Sequence, residues 1–196
     1  MTWKRIFHGF VLCSVMSLVS GCGDRQANEP REMVLQTEAG EVNATVSKSD
    51  DSMAYEIKAL TAEERSQLET AQQQAVSMIA RYLGPEASGP VDLKKLDKAF
   101  SLWVQDTSDA KESADQAALY FGTVFGQVMV DTLDMHWVMV TDQYGTSYGI
   151  QYKETTVLTF PIDSVAKRID RGETGFFEGL YFTVKTVTKD PRLQSQ

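Results

Sequence analysis

The sequence predicts an α+β fold: N-terminal helices, a three-stranded antiparallel meander, then two short C-terminal helices. Three observations carry this. Apolar residues recur near every 3.6 positions between Thr61 and Leu133. After Asp134 the apolar period drops to 2, as in strands. The turns between those period-2 runs are short, so neighbouring strands must be antiparallel. A length of 196 residues with 42% hydrophobic content fits one ordinary globular domain plus additional segments. The expected divisions are a signal segment at 1–21, a polar tether with a possible hairpin at 22–56, the α+β domain at 57–190, and a tail at 191–196.

The first residues read as an export signal. Lys4 and Arg5 open the chain, and an uncharged run to Gly21 follows, interrupted only by His8. That run is too short for a typical membrane-spanning helix. It ends in Leu18-Val19-Ser20-Gly21-Cys22, which resembles the bacterial lipobox. The resemblance implies cleavage before Cys22, with diacylglycerol on its sulfur. Each buried CH₂ adds about 0.8 kcal/mol, so two or more acyl chains anchor stably to a bilayer. Gly23, not aspartate, follows Cys22; under the enteric sorting rule this implies the outer membrane, facing the periplasm. Cleavage removes Lys4 and Arg5, leaving 17 basic and 27 acidic residues, net −10 instead of −8. Such a chain is a poor partner for nucleic acid or anionic lipid surfaces. Cysteine falls to one, so no intramolecular disulfide can form.

The tether from Gly23 to Ser52 is polar. Within it, Met33-Val34-Leu35 and Val42 to Val46 flank Glu38-Ala39-Gly40-Glu41 as a possible hairpin. An isolated hairpin is marginal in water, so it would need to dock. Thr61-Ala62-Glu63-Glu64 is a capping box that starts the first helix, with Leu68, Ala71, Ala75, Ile79 and Tyr82/Leu83 as its stripe. Gly84 and Pro85 stop it. The second helix carries Leu93, Leu96, Phe100 and Trp103/Val104 on one face. Ser108 or Asp109 is expected to cap the third, central helix. That helix holds Gly122 and Gly126 four residues apart. Each glycine costs up to about 1 kcal/mol relative to alanine, which suggests that another backbone comes close on that face.

The strands are expected at His136 to Thr141, Thr146 to Tyr152, and Thr156 to Phe160, with a tight turn at Asp142-Gln143-Tyr144-Gly145. Helices are expected from Ile162 to Arg171, stopped by Gly172, and through Phe177, Leu180, Tyr181, Val184 and Val187. Strand residues alternate between faces. Thr146, Tyr148, Ile150 and Tyr152 form the bulkier side of the second strand and are read as core. The first strand has Val138 and Val140 on one side, Trp137 and Met139 on the other. Trp137 and Met139 are read as standing beside small neighbours on a thin second face. Their cover would be the C-terminal helix through Phe177, Leu180 and Val184, or a partner for which Trp137 is the anchor. Trp137 and Met139 are therefore the candidate binding residues.

The run Tyr120-Phe121-Gly122, Phe125-Gly126, Trp137-Val138, Phe160-Pro161 and Lys167-Arg168-Ile169 resembles a bacterial domain-of-unknown-function family over roughly Leu96 to Val187. The resemblance implies a small α+β domain, often in secreted or lipid-anchored proteins. It implies no activity, substrate or cofactor.

Recognisable catalytic chemistry is sparse. After cleavage the chain has one histidine, His136, and no free thiol, which excludes His/Cys zinc sites and cysteine nucleophiles. No G-x-S-x-G elbow accompanies His136, Asp131 and Asp134. Ser164-Val165-Ala166-Lys167 and Ser108-Asp109-Ala110-Lys111 match S-x-x-K without the partner motifs of penicillin-binding enzymes. The Gly122/Gly126 spacing matches a membrane-dimer motif, but too few uncharged residues separate Asp115 from Asp131 to cross a bilayer. No catalytic residue, metal ligand or cofactor is assigned. The sequence thus leads to a lipid-anchored, periplasm-facing interaction or accessory module, attached to the bilayer through Cys22 and meeting an envelope protein, not nucleic acid. The alternative is a small envelope hydrolase with a carboxylate pair that meets only in space.

Overall fold

A computed structural model describes residues 31–37, 40–46, 55–155 and 157–189. The signal segment, Cys22 and the tail at 191–196 lie outside the described residues. Strands β1 (Arg31–Thr37) and β2 (Gly40–Val46) pair antiparallel, so the possible hairpin exists. Strand β3 (Glu56–Ala59) follows. Helix α1 (Ala62–Leu83) begins at the expected capping box: Thr61 Oγ1 accepts from the Glu64 N–H at 3.2 Å, and the Thr61 N–H donates to Glu64 Oε2 at 2.8 Å. It stops at Gly84, whose positive φ of 56° favours glycine. Asp92 caps α2 (Leu93–Gln105) through the Lys95 N–H.

Helix α3 (Ala114–Leu133) is capped by Ser113, not by Ser108 or Asp109. Ser113 and Gln116 make a second capping box. Ser108 is already engaged: its N–H donates to Asp106 Oδ1 at 2.8 Å, and its carbonyl accepts from Lys111. Asp134, left-handed at φ 57°, ends α3 and turns the chain into β4 (Met135–Asp142). Then come β5 (Gly145–Tyr152), β6 (Leu158–Thr159), α4 (Pro161–Arg171) and α5 (Phe177–Thr188). The β-branched residues of α5 do not prevent a helix; Thr183 and Thr186 bond back to the carbonyls of Gly179 and Phe182.

The main sheet has four strands, not three, in the order β3-β4-β5-β6, all antiparallel. The β4–β5–β6 meander is as expected; β3 is the addition. It is a four-residue edge strand whose Glu56 and Lys58 form an exposed ion pair at 2.9 Å. Short, charged edges resist further pairing, and the same features hide them in a sequence. β6 is shorter than expected because Phe160 and Pro161 already begin α4, and Thr155 turns the chain through Tyr152.

The helices lie on one face of the sheet. Their core is aromatic, with Phe100, Phe121, Phe125 and Phe177 fully buried. Phe100 meets Phe121 edge-on at 5.1 Å, and Phe125 meets Phe177 at 5.0 Å. At Gly122 the backbone of α4 comes so near that an added Cβ would stand 2.5 Å from Ile162 Cα. That is the close backbone approach the glycine spacing implied. At Gly126 the neighbour is instead the Trp137 indole, with Pro161 beside it.

Candidate functional site

The register decides where Trp137 and Met139 point. Asp142 lies opposite Gly145 across the turn, and the pairs run back to Met139↔Tyr148, Trp137↔Ile150 and Met135↔Tyr152. Opposed residues share a face. Trp137 and Met139 therefore stand with the bulky residues of β5, not beside small ones. This corrects the expected thin face, and the cover differs too. Trp137 lies under α3, against Gly126, while α5 sits on α2 and α3. The half-buried indole donates from Nε1 to Gln127 Oε1 at 3.3 Å and meets the Tyr148 ring edge-on at 6.5 Å. The Tyr148 hydroxyl donates to the Glu64 carbonyl at 3.1 Å, tying the sheet to α1. Met139 is half-buried on the same face.

The opposite face carries Val138 and Val140 beside Gly149 and Ser147. With Leu158 they form a second apolar cluster, flanked by Tyr55, Ile57 and Phe160. Gly149 leaves room for it: an added Cβ would lie 3.1 Å from Val140 and 3.2 Å from Leu158.

One polar cluster among the described residues was missed by sequence reasoning, because its members come from three segments. The Tyr82 hydroxyl donates to Asp106 Oδ2 at 2.7 Å. Arg81 clamps both oxygens of Glu112 at 2.6 and 2.7 Å. Trp103 Nε1 donates to the Glu112 carbonyl, and Lys111 lies 4.6 Å over the Trp103 ring. Burial, then the bond to Asp106, pushes the Tyr82 hydroxyl up to about 12. The Ser108 N–H, then Tyr82, holds Asp106 down at about 2. This cluster locks the α2–α3 connection to the end of α1. One S-x-x-K match, Ser108 to Lys111, belongs to that connection; Lys111 Nζ donates to the Val104 carbonyl.

In the other match, Ser164 is buried and Lys167 half-buried on α4. Burial lowers the pKa of Lys167 and of Arg168. Arg168 Nε stands 3.6 Å from Glu173 Oε2, and its guanidinium lies 5.7 Å over the Phe176 ring. Asp97, raised by burial, accepts the Phe177 N–H at 3.2 Å and so caps α5 from α2. His136 is exposed, opposite Gln151. Among the described residues no group of three or more His, Cys, Asp or Glu could hold a metal ion. Nor is any helix among them long and apolar enough to cross a membrane.

Part of this arrangement, from the Asp92 cap to the middle of α5, matches a family model. Residues 92–181 match the model of a domain of unknown function, DUF3806. The family resemblance is thereby borne out at the level of an unknown-function domain. The DUF3806 match takes in α2, α3, the meander, α4 and part of α5, and leaves out β3 and α1, which complete the sheet edge and the helical layer. No curated protein matches the chain. A crystal structure of a Bacteroides thetaiotaomicron VPI-5482 protein is similar with a TM-score of 0.52 and 13% sequence identity, over 78% of this chain and 68% of that one. At that identity the likeness concerns the fold alone.

Proposed function

We propose that the protein is a lipid-anchored interaction or accessory module of the bacterial envelope, facing the periplasm from the outer membrane. The observation that carries this is the run Leu18-Val19-Ser20-Gly21-Cys22 behind a basic and then apolar leader. Acyl chains on Cys22 supply the membrane attachment. A net charge of −10 after cleavage gives the rest of the chain no attraction to anionic lipid. The carboxylates that the fold gathers serve the fold. Asp106 takes the Tyr82 hydroxyl, Glu112 takes Arg81, and Asp97 takes the head of α5. A hydrolytic pair needs one carboxyl held protonated near neutral pH beside an ionised partner. Asp106 is shifted the opposite way, and Asp97, though raised, is spent as a helix cap. That favours an interaction module over the hydrolase alternative.

Metabolic labelling with palmitate tests the anchor. Label on the wild-type chain, and its loss with accumulation of precursor in Cys22→Ala, is the expected result. Label retained by Cys22→Ala contradicts it. For the interaction, cross-linking in intact cells is expected to give discrete protein adducts that Cys22→Ala loses. A chain that forms no adducts contradicts the module reading.

A further inference from the structure

The β1–β2 register sorts its residues into two unlike faces. Met33, Leu35, Val42, Ala44 and Val46, with Arg31, Thr37 and Gly40 at the ends, occupy register positions on one side of the ladder. Glu32, Gln36, Glu41, Asn43 and Thr45, with Val34, occupy the other. A two-stranded hairpin is marginal alone in water, so an amphipathic one needs a surface to cover. The helix its backbone approaches is α5. Helix α5 carries a matching feature. Phe177, Leu180, Tyr181, Val184 and Val187 face the core, leaving Gly179, Phe182, Thr183 and Thr186 on the outer side at helical spacing. A helix covered on one side only would expose that outer row. Yet no residue of α5 is exposed, Phe182 included. By contrast α1, with its outer side uncovered, exposes Val76 at 47%.

We propose that the β1–β2 hairpin is a strap docked on the outer side of α5, and that its docking sets how far the domain stands from the membrane. The second half rests on the lipid-anchor reading. With the strap docked, nine residue steps separate Cys22 from the first docked residue, Arg31. At 3.3–3.6 Å per residue that chain spans at most about 30 Å. With the strap released, 33 steps separate Cys22 from Tyr55, and the limit rises to about 110–120 Å. One hairpin therefore divides the tether into a short reach and a long one.

Hydrogen exchange on the full mature chain in detergent tests the docking without requiring the bilayer. The amides of 31–46 should be protected in wild type. Leu35→Asp, on the apolar side of the ladder, and Phe182→Asp, on α5, should each speed their exchange by about tenfold or more. Gln36→Asp, on the polar side, should not, and the amides of β4 and β5 should stay protected in all three. Unprotected 31–46 amides in wild type, or equal effects of Leu35→Asp and Gln36→Asp, would overturn the docking. The reach is read in vesicles of phosphatidylethanolamine and phosphatidylglycerol. A donor at Tyr144→Cys, 72% exposed at the β4–β5 turn, transfers energy to a headgroup acceptor. Leu35→Asp should lower transfer; equal transfer would overturn the reach-setting role. Failed palmitate labelling with the exchange pattern intact would remove the anchor and leave the strap. Labelling with unprotected amides would do the reverse.

Discussion

At Gly126 a single hydrogen stands where any other residue would place carbon in the Trp137 ring. The pair joins the central helix to the sheet, so the glycine is a spatial requirement rather than a flexible point. Gly126→Leu is expected to destabilise the domain by about 1–3 kcal/mol or more, the range for overfilling a formed core. Denaturant unfolding measures it. Combining it with Trp137→Ala should cost less than the two single changes summed, because the two residues share one space. Strict additivity would contradict the contact. The need for close approach was legible in the Gly122/Gly126 spacing, and at Gly122 the α4 backbone fulfils it. The neighbour of Gly126 was legible only through the turn, because the face of Trp137 depends on register. Apolar residues occur on both sides of β4, so its pattern alone does not choose a side. The turn does: once Asp142 is set opposite Gly145, Trp137 must oppose Ile150.

Among the elements, the helices announced themselves through caps and stops, and the exceptions have local causes. The α3 start was misplaced because Ser108 and Asp109 look like caps, while Asp106 had already taken the Ser108 N–H. β3 escaped notice because a short edge strand with Glu56 and Lys58 has no apolar run. The lock on the α2–α3 connection makes a pH prediction. Asp106 is held below the ordinary carboxylate value, at about 2, by the Ser108 N–H and the Tyr82 hydroxyl. A group whose folded pKa is depressed stabilises the fold above its unfolded value, and the contribution is lost as pH falls through the folded one. Acid should therefore loosen this connection as pH drops from near 4 toward about 2. Tyr82 works at the other end: its folded value of about 12 means that its contribution, complete below 10, is lost as pH rises between them. Carboxyl NMR titration of Asp106 checks the first. In Tyr82→Phe its pKa should rise part-way, since the Ser108 N–H remains. An unchanged titration would show that the hydroxyl contributes nothing.

For the whole molecule, the switch from a period of 3.6 to one of 2 after Asp134 was enough to give the α+β class, but not the strands β1, β2 and β3 that precede the helices. The polar clusters were out of reach, since Tyr82, Asp106 and Glu112 converge only after α1 and α2 have folded together. The proposed function rests most on the residues before the domain. The proposed lipid anchor would distinguish a membrane-held module from a free periplasmic or cytosolic one, and acylation adds a definite mass. Intact-mass measurement of the chain extracted from its own membranes reads it directly. Anchoring predicts a protein that begins at Cys22, lacks residues 1–21, and exceeds the mass of residues 22–196 by a diacylglyceryl group and an N-terminal acyl chain. An unacylated chain, or one cut at any other residue, would contradict it.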